Sequence, residues 1–201
     1  MTWLALHFPL LALEARPGRE AEPRVVVDHR SVVLASAAAQ ALGVCPGMSL
    51  ASARALIPAL DVTELADGLV EQLLAELAPR LAMVTSMVAL SPDIPALVGE
   101  VGASERLFGG LPGVRQAVAR AFADAGITWH EAVAPTALAA EVLAVAAPGA
   151  VVTARDRLRE RLGELPVEAL PVPEKVATAL RRMGVRRASQ VFALPPHNGL
   201  A

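Results

Sequence analysis

The chain has 201 residues, is 54% hydrophobic and 3% aromatic, and carries a formal net charge of −2, enough for one substantial core or two to three small lobes. Its single cysteine, Cys45, excludes an internal disulfide and suits a reducing cytoplasm, where such a side chain is expected to be buried. A signal peptide and a membrane span are also disfavoured: Met1–Leu13 has no Lys or Arg ahead of its apolar run, and Ser31–Ala53 is broken by Gln40, Gly43, Pro46 and Gly47.

In chain order, Thr2 to Pro9 reads as a strand, followed by a charged turn at Arg16-Pro17-Gly18-Arg19. Arg24–Asp28 and Ser31–Leu34 read as two short strands joined at His29-Arg30. Ala35–Leu42 is a small-residue helix stopped by Gly43, and Ser49 caps a second helix over Leu50–Leu56. Val62 and Thr63 form a brief strand. A longer helix runs from Gly68 to Ala82, with Leu69, Leu73, Leu77 and Leu81 as its buried stripe. Met83–Leu90 and Ala96–Val101 form a hairpin across Ser91-Pro92-Asp93. Val114–Ala125 is helical, Ile127–Val133 a strand and Thr136–Ala146 a helix. The order β…αββαβα, with a small inserted lobe, predicts an α/β fold built on a split βαβ palm-like layer. Beyond Val151 the pattern is wholly helical.

Charge is unevenly spread. Residues 1–150 sum to −6 and residues 151–201 to +4, so the C-terminal part favours an anionic partner, or simply wets its helix faces. Arg155, Arg157, Arg159 and Arg161 read as a solvated helix face. Val176, Leu180 and Met183 form an apolar stripe, then Gly184-Val185 and a short helix over Ser189–Leu194. Helix, apolar-Gly-apolar turn and helix outline a helix-hairpin-helix. Gly184 makes its turn, and Arg181, Arg182, Arg186 and Arg187 flank it as candidate contacts to DNA phosphates.

Carboxylates are scarce where chemistry would need them. Thr2–Pro9 and Met83–Leu90 contain none, and the later strand-like runs hold only Glu100 and Glu131.

Four blocks carry a family resemblance: Trp3-Leu4-Ala5-Leu6-His7-Phe8-Pro9; Ala38-Ala39-Gln40-Ala41-Leu42-Gly43-Val44-Cys45-Pro46-Gly47-Met48-Ser49; Arg106-Leu107-Phe108-Gly109-Gly110; and Ala134-Pro135-Thr136-Ala137-Leu138-Ala139-Ala140. In order and spacing they resemble the N-terminal part of the Y-family translesion DNA polymerases, and more closely the catalytically silent ImuB-type branch. The resemblance implies a palm from residues 1–14 and 78–150, fingers from 20–77 and a helical thumb from 155–201. It also implies a fragment, because the family continues beyond the thumb.

An active family member holds two metal ions with acids on the first palm strand and on the palm hairpin. Counted back from Glu14, the first two positions hold Ala5 and His7. Imidazole suits Mg²⁺ poorly, and no second ligand for His7 is visible in the sequence. The hairpin pair falls on Pro95 and Ala96, or, with two inserted residues, on Asp93 and Ile94. The fingers positions expected to be Tyr and Arg are Ala37 and Gln40, and the palm Lys becomes Glu141. No catalytic residue, metal ligand or cofactor is therefore expected. The resemblance implies a non-catalytic adaptor in DNA-damage tolerance, with a RecA-like accessory protein, the sliding clamp and an error-prone DnaE-type polymerase as partners, and DNA held by the thumb. Two rivals remain: a DNA-binding module that shields damaged template, and an active polymerase with a metal site built from Asp93 and Glu100.

Overall fold

The computed structural model describes residues 1–16 and 22–193. The charged turn expected at residues 16–19 and the end of the last expected helix therefore fall largely outside the described residues.

The strand β1 (Trp3–His7) lies in the middle of a four-stranded sheet. Its neighbours are β6 (Ala96–Glu100) and β7 (His130–Ala134), both antiparallel to it, and β5 (Val88–Leu90) pairs on the outer side of β6. Successive side chains on a strand point to opposite faces. Leu4 and Leu6, joined by Phe8, enter one core with α4 (Leu69–Ala82) and α6 (Leu111–Phe122). Trp3 and Ala5 enter another with α7 (Ala137–Ala146). A sheet covered on both faces needs apolar residues at nearly every position, which explains the near-continuous apolar run at the start of the chain. The expected split βαβ layer is present.

Between the first two strands of that layer is an inserted lobe. The strands β2 (Arg24–Asp28) and β3 (Ser31–Ala35) form a hairpin, with β4 (Asp61–Glu64) parallel to β2 on its other side. His29 and Arg30 both adopt positive φ, 45° and 67°, the pair of values that lets a two-residue turn follow the strand twist. The helices α2 (Ala37–Ala41) and α3 (Leu50–Leu56) are capped by Ser36 and Ser49, whose hydroxyls accept the Ala39 and Ser52 amides. The short helix α1 (Leu11–Glu14) links the two sheets, and α5 (Glu105–Phe108) precedes α6.

The C-terminal part is helical: α8 (Arg155–Gly163), a 3₁₀ turn over Val167–Ala169, α9 (Glu174–Arg182) and α10 (Ala188–Phe192). Among the described residues no helix is long and apolar enough to cross a membrane.

The structure corrects four expectations. The strand expected from Met83 begins only at Val88, because the Val84 and Thr85 amides still donate to the Leu81 carbonyl and use those residues to finish α4. The buried residues of α4 are Leu74, Leu77 and Leu81. A four-residue spacing drifts about 40° per step on a helix, so Leu69 turns away from the core. Cys45 is exposed, on a turn whose buried anchor is its neighbour Val44. Val176 and Met183 are also exposed, since α9 buries the smaller Ala177 and the chain then buries Val185 and Ala188.

Candidate functional site

The register of the central sheet places the site. His7, the last residue of β1, lies opposite Ala96 on β6 and His130 on β7. Two residues earlier, Ala5 lies between Val98 and Ala132 and is fully buried under α7. Of the two hairpin alternatives, Ala96 is the residue beside His7. Pro95 spends its carbonyl on the Phe8 amide (2.8 Å). Asp93 and Ile94 lie in the β5–β6 turn, at the edge of a cleft.

Glu100 sits at the other end of β6, opposite Trp3. Its carboxylate accepts the amides of Thr2 (3.0 Å), Gly102 (3.1 Å) and Ala103 (3.4 Å). The residue is nine-tenths buried and tied to the β6–α5 connection, so its geometry is that of a structural cap. The rival metal site built from Asp93 and Glu100 would have to join opposite ends of one strand.

His7 has an imidazole neighbour, His130, opposite it on β7. The two rings face each other across adjacent strands with centroids 6.0 Å apart, and no cue in the sequence links positions 7 and 130 before the register is known. Burial, and then the neighbouring His130, hold the His7 pKa below its ordinary value. Among the described residues no group of three or more His, Cys, Asp or Glu side chains is arranged to hold a metal ion.

The positions expected to grip a triphosphate carry no cation. Ala37 is exposed at the start of α2. The Gln40 side-chain amide donates to the Ala35 carbonyl (2.8 Å), within its own helix start. Glu141, on α7, lies near the β5–β6 turn. Burial raises its pKa, the nearby Ser91 hydroxyl works against that rise, and the charge of Asp93 adds to it. An anion there repels a phosphate chain.

A cleft of about 700 Å³ opens between the inserted lobe and the central layer. Asp28, Asp67, Glu71 and Asp93 line it, and among the described residues no Lys or Arg does. This acidic cleft was missed in the sequence because its four carboxylates come from three separate segments.

The C-terminal turn has the expected outline. The Gly184 amide donates to the Arg181 carbonyl and the Val185 amide to the Leu180 carbonyl, both at 3.0 Å, and Gly184 has φ 84°. This pattern of paired bonds closes a helix end and requires a left-handed residue. The next two amides, of Arg186 and Arg187, donate to Gln190 Oε1 at 2.7 and 2.9 Å. The backbone amides at the turn are thus engaged within the chain, and any grip on phosphate falls to side chains. Arg181 is also committed, to Glu168 (3.5 Å) and Glu174 (3.1 Å). Arg182, Arg186 and Arg187 are exposed and form no ion pair among the described residues. On α8, Arg155, Arg157, Arg159 and Arg161 are all exposed, as a solvated face requires. Arg159 further stacks on the Phe192 ring and donates to the Phe192 carbonyl, fastening α8 to α10.

No protein-family model matches the chain. It is 28% identical over 154 residues to Protein ImuB from two strains of Caulobacter vibrioides, covering 77% of this chain and 33% of the relative. The chain therefore spans about a third of the length of the curated relatives it matches. Among solved structures it is similar to DinB from Sulfolobus solfataricus, with a TM-score of 0.72 and 19% identity, covering 97% of this chain and 61% of that one. It is equally similar to Dbh DNA polymerase in an insertion ternary complex, at a TM-score of 0.72 and 18% identity over 97% and 61% of the two chains. The chain thus has the fold of the N-terminal portion of these polymerases and resembles ImuB in sequence.

Proposed function

We propose, from a polymerase-like fold joined to an ImuB-like sequence, that this chain is the palm, fingers and thumb of a non-catalytic adaptor in DNA-damage tolerance. The palm corresponds to residues 1–14 and 78–150, the fingers to 20–77 and the thumb to 155–201. One observation carries the reading. Along the paired β1 and β6 the positions expected to be acidic hold Ala5, His7 and Ala96, and none of them offers the hard oxygen donors that Mg²⁺ demands. Two-metal phosphoryl transfer works by electrostatic stabilisation of developing charge. With Glu141 in place of a cation, the same region opposes that charge. The adaptor's partners are a RecA-like accessory protein, the sliding clamp and a DnaE-type polymerase that performs the synthesis. Its location is the cytoplasm.

Primer extension with the full-length protein tests the reading. No nucleotide incorporation is expected with Mg²⁺ or Mn²⁺. Extension that disappears on substitution of the protein's own palm residues would overturn it.

The thumb is the proposed contact to DNA, through Arg182, Arg186 and Arg187. Replacing all three with Ala is expected to weaken duplex binding about tenfold or more. The slope of log affinity against log salt should fall by about 2 to 3, as three released counterions require. An unchanged affinity and slope would assign the DNA contact elsewhere.

A further inference from the structure

We propose that His7 and His130 form a two-imidazole site for a divalent transition-metal ion of the Zn²⁺ or Cu²⁺ class, at the end of the central sheet. The inference goes beyond the adaptor reading and does not rest on it. His7 closes β1 and His130 opens β7, and the antiparallel register sets them directly opposite each other. Residues paired in this way share a face of the sheet, with Cβ atoms about 4.5–5.5 Å apart. It is the face that α7 covers, because Ala5 and Ala132, two residues further in, both pack in that core. On the other side of His7 the row continues with Ala96, whose methyl group takes little space beside the ring.

The ring geometry suits one shared ion. The centroids are 6.0 Å apart and the planes are tilted by 57°, so the rings do not stack face to face. With metal–nitrogen bonds of about 2.0–2.1 Å, two imidazoles on one ion have their ring centres about 5–6 Å apart. Bringing a nitrogen of each ring to the ion takes side-chain rotation and no change of strand register.

A second observation sets this pair apart from two histidines that merely pack together. His7 Nδ1 is sealed from solvent and has no hydrogen-bond partner among the described residues. A doubly protonated ring needs an acceptor at each N–H, so His7 stays the neutral imidazole that metals bind. Among the described residues no carboxylate forms an ion pair with either ring, so neither is held as a cation.

The ligand type selects the ion. Imidazole suits Zn²⁺, Cu²⁺ and Ni²⁺, whereas Mg²⁺ takes oxygen donors. Among the described residues no third His, Cys, Asp or Glu joins the pair. Water fills the remaining positions, and the site binds more weakly than one with three or four protein ligands. At the far end of the row the Ser91 amide donates to the Ala96 carbonyl (2.9 Å), and Glu141 and Asp93 gather beside Ser91. Their negative charge attracts a metal cation towards this end of the sheet and repels a phosphate.

Isothermal titration of the untagged, purified chain with ZnCl₂ is the test. A Cys45→Ser background is used, because the exposed Cys45 thiol can itself hold zinc. Zn²⁺ is expected to bind one ion per chain, and Cu²⁺ to bind more tightly than Zn²⁺. His7→Ala and His130→Ala, each checked for an unchanged circular dichroism spectrum, should weaken Zn²⁺ binding about tenfold or more. His29→Ala and His197→Ala should leave it unchanged. Imidazole NMR resonances repeat the test with all four histidines in place: those of His7 and His130 should shift together as Zn²⁺ reaches one equivalent. Zn²⁺ affinity that survives both alanine substitutions overturns the proposal, and so does a shift confined to one of the two rings. Displacement of Zn²⁺ by MgCl₂ beyond that by NaCl of equal ionic strength also overturns it, in favour of a hard-ion site. If the full-length protein extends primers while both rings still take Zn²⁺, the adaptor reading fails and the metal assignment stands. If it is catalytically silent and neither ring responds to Zn²⁺, the adaptor reading stands and the metal assignment fails.

Discussion

Ala5→Asp is expected to lower the unfolding free energy by about 3–5 kcal/mol, the usual cost of an unpaired charge in a protein interior. Ala5 is fully buried, between Val98 and Ala132 and beneath α7. Introducing a carboxylate at this position therefore places it in a sealed apolar layer. Urea denaturation read by circular dichroism measures the loss. The sign with pH follows from burial. The buried carboxyl would titrate above its unfolded value near ~3.9, so the variant's deficit is smallest in acid and grows as the pH rises past that value. His7→Asp serves as the contrast, since His7 is only half-buried at the strand end. A fully stable Ala5→Asp variant at neutral pH would show that the position remains open to solvent or ions.

Glu100→Ala is expected to cost about 3 kcal/mol, because it strips the acceptor from three backbone amides in a largely buried connection. The same segment is held by Thr85 Oγ1, which donates to the Glu100 carbonyl. That bond uses backbone and survives the substitution, so the damage should centre on residues 100–103 and the start of β1. Thermal unfolding measures the total, and amide exchange at Thr2, Gly102 and Ala103 locates it. Glu100→Gln keeps one acceptor oxygen and should recover part of the loss. Were Glu100 instead a metal ligand, removing it would leave these amides protected and change only metal affinity.

Much of the fold was legible along the chain. Local rules placed the β2–β3 hairpin, the Ser49 cap, the helix ending at Ala82 and the closing turn at Gly184, because each depends on residues close together in sequence. The errors arose where distant packing decided. Val176 and Met183 looked like a buried stripe, yet Ala177, Val185 and Ala188 fill the space that the neighbouring turn leaves. Arg181 looked equivalent to Arg182, Arg186 and Arg187, but Glu168 and Glu174 lie beside it. Cys45 looked apolar enough to bury, but the turn buries Val44 in its place.

The residue types alone determined that no acid stands at positions 5 or 7, and that an acid stands at 141. Side-chain chemistry is local and needs no fold to be read. Only the tertiary structure decided that Ala5 is sealed, that Glu100 caps a loop at the far end of its strand, and that four acids meet around one cleft. Strand register and the approach of separate segments bring those groups together, and both are set by long-range pairing that short spacings along the chain do not encode.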